Sequence, residues 1–180
     1  MAVIWHVTMS LDGFIAGPGD SMEWMLGYAA PNPEVDELIS SIGAILSGRN
    51  TYDVGSRQHD PGFQKPYGGA WSGPIFVLTH RPTTSRDPNV IFFTADIARA
   101  VATAEKAARG KNIAIFGADV ARQAVEQHLV DELFVHIAPV MLGDGVRLFN
   151  RPGAASPVKL EPITVSQPGQ VTNLRFRFVK

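Results

Sequence analysis

The chain has no cysteine among its 180 residues, and charged side chains make up only 18% of it. The absence of cysteine excludes disulfide bonds, thiolate catalysis and cysteine-ligated metal sites. No apolar run approaches the roughly 20 residues that a membrane-spanning helix needs, and the apolar start of the chain is too short for a secretory signal. We therefore expect a cytoplasmic protein that crosses no membrane.

Net charge is also nearly absent, because 16 basic and 17 acidic side chains leave a formal charge of -1. This balance provides no general field that would attract nucleic acid or an acidic membrane surface. Hydrophobic residues form 45% of the chain, which is enough for a packed core at this length. The sequence predicts a single globular domain over residues 1–180.

Several motifs that carry chemistry in other enzymes are missing. There is no Gly-Lys-Ser/Thr phosphate loop, no Gly-x-Ser-x-Gly nucleophile elbow and no Gly-x-Gly-x-x-Gly dinucleotide fingerprint. The five histidines include no His-x-x-x-His or His-Glu pair, so we predict no metal site. His128 and His136 are interpreted as packing or surface residues.

What is present is an alternation of short strands and helices. Residues 2–8 predict a first strand, and residues 44–47 a second buried one. Between them, Asn32-Pro33-Glu34 is typical of a helix start, because a capping side chain is followed by proline and an acid. Arg49-Asn50-Thr51-Tyr52 predicts the first turn of the next helix. The earlier helix presents one apolar face, formed by Val35, Leu38, Ile39 and Ile42.

The middle of the chain contains a long stretch without the hydrophobic periodicity of a helix or a strand. Residues 58–73 are rich in glycine and proline and are predicted to form one long loop, of the kind that often closes over a substrate. Strands are predicted at 74–78 and 90–93. Thr94 is the predicted cap of a helix over 95–109, which Gly110 ends.

The last third combines one more strand–helix junction with antiparallel strands. A strand at 113–116 leads through Gly117 into a helix over 119–128, and a further strand follows at 133–140. Two strands at 158–165 and 171–179 flank a Gln-Pro-Gly-Gln turn and predict a hairpin. The predicted fold is α/β, a three-layer α/β/α sandwich with a mixed sheet and a C-terminal antiparallel hairpin.

Three strand ends carry residues suited to a phosphorylated ligand. Gly48 lets a ligand approach the backbone closely at a helix start, and Arg49 and Thr51 beside it can donate hydrogen bonds to a phosphate. Thr79-His80-Arg81 follows another strand, and Gly117 opens the third junction. Each junction alone is compatible with an ordinary turn, but the carboxyl ends of parallel strands share one edge of a sheet. Together they predict a dinucleotide site, and two arginines favour NADP with its additional 2′-phosphate.

Four motifs resemble the dihydrofolate reductase-like superfamily: Ser10-Leu11-Asp12-Gly13, Gly48-Arg49-Asn50-Thr51-Tyr52, Val77-Leu78-Thr79 and Ile115-Phe116-Gly117-Ala118. The segments 129–133 and 138–149 are similar to the reductase domain of the bifunctional riboflavin-pathway deaminase-reductase. The resemblance covers nearly the whole chain. It implies an eight-stranded mixed sheet, NADPH as the hydride donor and commonly a homodimer. No deaminase zinc motif precedes these segments, so we expect the reductase part alone.

The resemblance also implies roles for single positions. Residues of the first junction would hold cofactor phosphates, those of the second the adenine ribose and 2′-phosphate, and those of the third the pyrophosphate. Two residues after the first strand would sit near the nicotinamide. In chain order these cofactor positions are Ala16, Trp24, Gly48, Arg49, Thr51, Thr79, His80, Arg81, Gly117, Ala118, Asp119 and Val120. Ser10 and Phe116 would line the substrate pocket.

Two positions depart from the pattern of the family. The family usually has two glycines where this chain has Gly117-Ala118, and alanine disfavours a positive φ. Relatives that reduce the riboflavin intermediate often carry an acidic residue at the position of Phe116, and an apolar wall suits a flat heterocycle. The expected reaction is hydride transfer from NADPH to a C=N or C=O carbon of a pyrimidine- or pterin-like substrate, of the 5-amino-6-(5-phosphoribosylamino)uracil reductase type.

The sequence provides two candidate proton donors. Asp12 is the first, although an aspartate before Gly13 can also organise its own turn by accepting backbone hydrogen bonds. Asp36 is the second, on the helix expected to line the pocket, and its alternative is a solvated helix face. Two other functions remain open: a dihydrofolate or pterin reductase, and a non-catalytic nucleotide-binding module of the same fold.

Overall fold

The computed structural model describes residues 1–28, 30–58, 60–153 and 156–180. Eight strands form the main sheet: β1 (Val3–Ser10), β3 (Ile42–Gly48), β4 (Ile75–Leu78), β5 (Val90–Phe93), β6 (Asn112–Phe116), β7 (Glu132–Ala138), β9 (Leu160–Ser166) and β10 (Thr172–Phe178). Their spatial order is β5-β4-β3-β6-β1-β7-β10-β9. A separate antiparallel pair joins β2 (Phe14–Ala16) to β8 (Val146–Arg147).

Five α-helices lie around the sheet: α1 (Pro33–Ser41), α2 (Arg49–Arg57), α3 (Pro61–Gln64), α4 (Ile97–Ala108) and α5 (Ala118–Glu126). Short 3-10 turns occur at Pro18–Asp20, Glu23–Tyr28 and Pro66–Gly69. Within the described ranges, every helix is too short or too polar to span a bilayer.

The sheet is mixed, as the sequence predicts. The six strands from β5 to β7 are mutually parallel, whereas β10 and β9 add in antiparallel fashion. β1 lies in the centre, with Ile4 opposite Ala114 of β6 on one side and Glu132 of β7 on the other. The carboxyl ends of the parallel strands therefore share one edge of the sheet, where ligands bind in such folds.

Alternation along the strands builds two different faces. The α4–α5 face receives Val3 and Trp5 of β1 and packs them against the buried stripes of α4 and α5. The α1 face receives Ile4, which packs with Leu38 of α1 and Phe134 of β7. Helices thus cover both sides of the sheet, and the prediction of a three-layer α/β/α sandwich is confirmed.

The prediction of a structureless loop over 58–73 was wrong. α3 begins at Pro61 after Asp60, whose carboxylate accepts a hydrogen bond of 2.7 Å from the Gly62 N–H. A 3-10 turn follows at Pro66–Gly69, and the Trp71 indole N–H donates to the Ile42 carbonyl at 3.1 Å. His59, which also falls in this stretch, lies outside the described residues.

Two helix boundaries also differ from the prediction. α4 is capped by Asp96, whose carboxylate accepts from the Arg99 N–H at 2.8 Å. Thr94 instead donates its hydroxyl to the Thr79 carbonyl at 2.7 Å, and thereby ties two strand ends together. Ile42, assigned by its spacing to the apolar face of α1, is the first residue of β3, because the backbone turns extended there.

Candidate active site

The three predicted junctions meet at the carboxyl edge of the sheet. A Cβ added at Gly48 would lie 3.1 Å from a methyl group of Val120, so the first and third junctions are in contact. A Cβ added at Gly117 would collide with the Thr51 side chain. Both glycines therefore serve a close approach between the start of α2 and the start of α5.

Arg49 links the first junction to the second. Its Nε lies 2.8 Å from both carboxylate oxygens of Asp53, and its Nη1 donates to the Arg81 carbonyl at 3.4 Å. The guanidinium also stacks 5.0 Å from the ring centre of Phe92. Its position is therefore fixed from three sides, while 38% of the side chain stays exposed for a ligand.

The second junction has one buried and two exposed members. Thr79 is 9% exposed, and its hydroxyl oxygen accepts from the Arg81 N–H at 3.1 Å, which shapes the turn. His80 and Arg81 point to the surface. The residues expected to contact an adenine ribose are thus accessible beside Arg49.

The third junction has the backbone of an anion site. Gly117 adopts φ 96°, a conformation that favours glycine, and none of the side chains in the described part of the chain caps the start of α5. The first N–H groups of the helix are therefore available to an anion. Asp119 would oppose an anion there, but its carboxylate is paired at 2.8 Å with Arg122 and at 2.8 Å with Gln123. Val120 is buried in the core, so only its backbone can face a cofactor.

A cleft of about 860 Å³ extends from this junction towards β2. Its lining includes Ala118 and Asp119 at one end, and Phe14 and Gly145 at the other. Gly145 packs directly on the Ala16 backbone, where a Cβ would collide with the Ala16 carbonyl. The cleft is thus lined by two residues of the predicted pyrophosphate position, and Gly145 in its lining contacts Ala16, which is predicted to lie near the nicotinamide.

Trp24 lies in the 3-10 turn Glu23–Tyr28 and is half-buried. Its indole nitrogen is buried, and among the described residues nothing accepts a hydrogen bond from it. An unpaired buried donor is unusual in a native structure. The role of Trp24 beside the nicotinamide stays a prediction.

Asp12 is fully engaged as a hydrogen-bond acceptor. Its carboxylate accepts from the Ser10 hydroxyl at 2.6 Å, the Gly143 N–H at 2.7 Å and the Leu142 N–H at 3.0 Å. These bonds, the one from Ser10 first, lower the pKa of Asp12 from 3.8 to about 2. The geometry therefore favours the alternative in which Asp12 organises the turn and fixes the segment after β7.

The other predicted chemical residues occupy contrasting positions. Asp36 is exposed on α1, so its role as a proton donor stays a prediction. Ser10 is fully buried, and it accepts from the Phe14 N–H at 3.0 Å. Phe116 lies on the α1 face, where the Tyr67 ring meets it edge-on at 5.5 Å. Its role as an apolar wall of the substrate pocket stays a prediction.

The sequence reasoning missed a buried polar network on the α1 face beside Phe116. We use the term polar network for the hydrogen-bonded side chains of His6, Asn32, Glu34, Tyr67, His136, Ser166 and Asn173. The interpretation of His136 as a packing or surface residue was incomplete, because it is 5% exposed and bonded at both ring nitrogens. Polar residues at inward positions of β1, β7 and β10 were the available signal.

The fold is that of the dihydrofolate reductase-like α/β proteins. Dihydrofolate reductase from Enterococcus faecalis, solved with NADP(H), superimposes with a TM-score of 0.66 at 14% identity, over 99% of this chain and 97% of that one. A protein from Shewanella sp. PV-4, provisionally assigned to riboflavin biosynthesis, gives a TM-score of 0.79 at 23% identity over the full length of both chains.

Sequence comparison identifies the family. Residues 1–174 match the model of the RibD C-terminal domain, so the chain belongs to that family. The protein YwjB of Bacillus subtilis is 27% identical over 175 residues, which are 96% of this chain and 95% of that one. The Thermotoga maritima diaminohydroxyphosphoribosylaminopyrimidine deaminase/5-amino-6-(5-phosphoribosylamino)uracil reductase has the same fold, with a TM-score of 0.67 at 15% identity over 99% of this chain and 56% of that one.

Proposed function

We propose that this protein is an NADPH-dependent reductase that transfers hydride to a flat heterocycle of pyrimidine or pterin type, a reaction of the 5-amino-6-(5-phosphoribosylamino)uracil reductase type. The observation that carries the proposal is the meeting of three strand ends, two of which lead into helices, at one edge of the sheet. Family membership and the fold of reductases with nicotinamide cofactors add support.

The residues of the junctions fit a phosphorylated dinucleotide. Gly48 and Gly117 stand where any side chain would close the approach between α2 and α5. The uncapped start of α5 offers backbone donors for a pyrophosphate. Arg49 and Arg81 meet beside the exposed second junction, which suits an additional phosphate on the adenine ribose.

When bound, NADPH would supply the hydride for the reaction. The chain's own part is to bind and orient both rings and to exclude water. Phe116 offers an apolar edge for a flat substrate, and segment 60–71 covers the α1 face beside it through Tyr67 and Trp71. In this proposal Asp12 holds the turn at Leu142 and Gly143 and does not deliver the proton.

The cofactor test is a titration of the full chain with NADPH and with NADH, followed by tryptophan fluorescence. We expect NADPH to quench the emission and to bind at least about tenfold more tightly than NADH. Replacing Arg49 or Arg81 with alanine removes a charge-assisted hydrogen bond, which is worth roughly 1.5–3 kcal/mol. NADPH affinity is then expected to fall about tenfold or more, and NADH affinity to change little.

The matched control is Arg177→Ala, an exposed arginine on β10 away from the three junctions. It is expected to leave both affinities unchanged. If neither dinucleotide quenches fluorescence or raises the melting temperature, the reductase proposal is rejected. NADPH binding without reduction of any pyrimidine or pterin would instead support a non-catalytic module of the same fold.

Substrate panels separate the remaining alternatives. Turnover of dihydrofolate with inhibition by a folate analogue would support a folate reductase. Asp36→Asn tests the second candidate proton donor, and unchanged turnover would remove Asp36 as the acid.

We also propose that the protein forms a homodimer. β9 is an edge strand that exposes Leu160, Ile163 and Val165, and a hollow of about 530 Å³ opens on the α4–α5 face beside Trp5 and Phe178. Exposed apolar groups of this kind commonly mark an interface. Light scattering that gives the monomer mass at micromolar concentration would contradict this proposal.

A further inference from the structure

The polar network crosses four neighbouring strands of the sheet, β1, β7, β10 and β9. His6 of β1 and His136 of β7 approach with their Nε2 atoms 2.7 Å apart. His136 continues through its Nδ1 to the Asn173 side-chain oxygen at 2.6 Å. At the other end, Nδ1 of His6 lies 3.2 Å from the Tyr67 hydroxyl. The two histidines thus form a bridge between an amide and a phenol.

The far end of the network fixes the orientation of Asn173. The Ser166 hydroxyl donates to the Glu34 carboxylate. Ser166 can therefore accept the bond of 3.2 Å from the Asn173 side-chain nitrogen. The amide of Asn32 pairs reciprocally with that of Asn173, at 3.1 and 3.2 Å. With its nitrogen committed, Asn173 presents its oxygen to His136.

This orientation determines which nitrogen of each histidine carries the proton. His136 must donate from Nδ1 to the Asn173 oxygen, so the Nε2 of a neutral His136 is bare. His6 must then donate from its own Nε2, which leaves the Nδ1 of His6 as an acceptor facing Tyr67. Burial, followed by the charges of His136 and Arg175, lowers the pKa of His6. Burial also lowers the pKa of His136, so both rings are neutral in this arrangement.

Tyr67 occupies the place that a flat ligand would need. Its ring stacks on His6 at 5.5 Å with an interplanar angle of 25°, and meets Phe116 edge-on at 5.5 Å. Burial raises the pKa of its hydroxyl, which therefore stays protonated and donates to His6. Tyr67 also adopts φ 54°, which is unfavourable for a bulky residue. The chain thus holds one of its own aromatic donors against Phe116 and His6.

We propose that the space filled by the Tyr67 ring binds a flat heterocycle with a ring N–H, and that His136 and Asn173 are positioning residues that keep His6 Nδ1 as the acceptor for it. The assignment deepens the proposed function, because it states which hydrogen-bonding group the substrate ring must present. Ring recognition by His6 does not require the cofactor, so it can be tested separately.

The first test is the protonation pattern of the ligand-free chain, read by nitrogen-15 NMR of histidine-labelled protein. We expect the proton of His6 on Nε2 and that of His136 on Nδ1. Asn173→Ala removes the acceptor that orders the chain and is expected to yield a mixture of both forms for each ring. Asn32→Ala keeps the contact between Asn173 and His136 and is the matched control. A proton on His6 Nδ1 in the unaltered chain would overturn the proposal.

The second test is ligand binding to Tyr67→Gly, which empties the ring space at a backbone position that glycine tolerates. The probes are uracil, which has ring N–H groups, and 1,3-dimethyluracil, which has the same ring without them. We expect uracil to shift the Nδ1 signal of His6 and to bind about tenfold more tightly, as for one hydrogen bond. This preference should be lost in Tyr67→Gly/Asn173→Ala and kept in Tyr67→Gly/Asn32→Ala.

Equal binding of the two probes, or no binding of uracil up to its solubility limit, would overturn the proposal. If Tyr67→Gly does not fold, the protonation pattern of the unaltered chain decides alone. Neither test contains a dinucleotide. Failure of NADPH binding would therefore reject the proposed function and leave these results standing, and the reverse also holds.

Discussion

The two faces of the central sheet are made by the same strands but follow different rules. On the α4–α5 face, alternate residues such as Val3, Trp5 and Ile113 are apolar and buried against two helices. On the α1 face, β1 begins with Ile4 and then turns polar with His6, whereas β6 stays apolar with Ala114 and Phe116. Apolar packing tolerates local repacking, whereas a buried polar network is stable only if every member is paired. The first face therefore supplies stability, whereas the second is the face to which we assign recognition of the substrate ring.

The largest effect should come from emptying the apolar face. Ile115 is fully buried between β6 and the α4–α5 layer, so Ile115→Ala should lower the free energy of unfolding by about 2–5 kcal/mol. The matched control Ile115→Val removes a single methyl group and should lower it by about 0.5–1.5 kcal/mol. Urea denaturation measures both. A loss below that of the valine control would contradict the assignment of this face to stability.

The next effect comes from breaking the polar network at its branch point. Asn173 is 1% exposed and bonds His136, Asn32 and Ser166. Asn173→Ala leaves the buried Nδ1 of His136 unpaired and should lower the free energy of unfolding by about 1–3 kcal/mol. Replacing the half-buried Asn32 with alanine should have a smaller effect, since water can reach the vacated partner. Equal losses in both variants would show that Asn173 is not the branch point.

A smaller effect should follow from loosening the segment that covers the α1 face. Trp71→Phe keeps an aromatic ring but removes the N–H that donates to the Ile42 carbonyl. One hydrogen bond contributes about 0.5–1.5 kcal/mol, so limited proteolysis between residues 60 and 71 should become several-fold faster. Cleavage that accelerates equally in the α4–α5 layer would indicate general destabilisation instead.

The smallest effect is the change of the free energy of unfolding with pH near neutrality, which should come from the two histidines of the α1 face. Burial is the main cause that lowers the pKa of His6 and of His136 below 6.5. Below pH 6.5 the unfolded chain therefore binds protons that the folded rings do not, and the free energy of unfolding falls as the pH decreases. Asp12 does not change the free energy of unfolding in this range. Its pKa is lowered from 3.8 to about 2, so its contribution is lost only as the pH falls below 3.8. Thermal melts from about pH 7 to about pH 5 measure the effect, and constant melting temperatures would contradict it.

Local pattern predicted most of the fold. The alternation of strands and the Asn32-Pro33 start of α1 were visible because they depend on neighbours in sequence. The same reasoning failed at 58–73, although Asp60-Pro61 carries the same kind of helix start as Asn32-Pro33. Glycine and proline content was there mistaken for the absence of structure. At Thr94 the prediction chose the first capping residue, whereas Asp96 caps because its backbone lies one residue before the helix.

The candidate site divides in a similar way. The junction glycines could be identified from sequence because each marks a strand–helix turn, and the shared edge of a parallel sheet brings such turns together. The polar network could not, because His6 and His136 are 130 residues apart. The tertiary fold decides whether β1 and β7 are neighbours and in which register they pair. The same limit explains why the hydrogen bonds of Asp12 could not be predicted, because its partners Leu142 and Gly143 are 130 and 131 residues away in the sequence.

The central position of β1 has a consequence for the order of folding. It precedes the other described strands in the chain, yet the N–H groups of Ala2 and Val3 at its start donate to Asn112 and Asp131, which are 110 and 128 residues away. Contacts of such long range form slowly, because a large loop must close before they stabilise the chain. As the chain leaves the ribosome, Ile4 and Trp5 must therefore wait without a partner until β6 and β7 emerge. An apolar strand that stays unpaired in this way favours misassembly of the nascent chain.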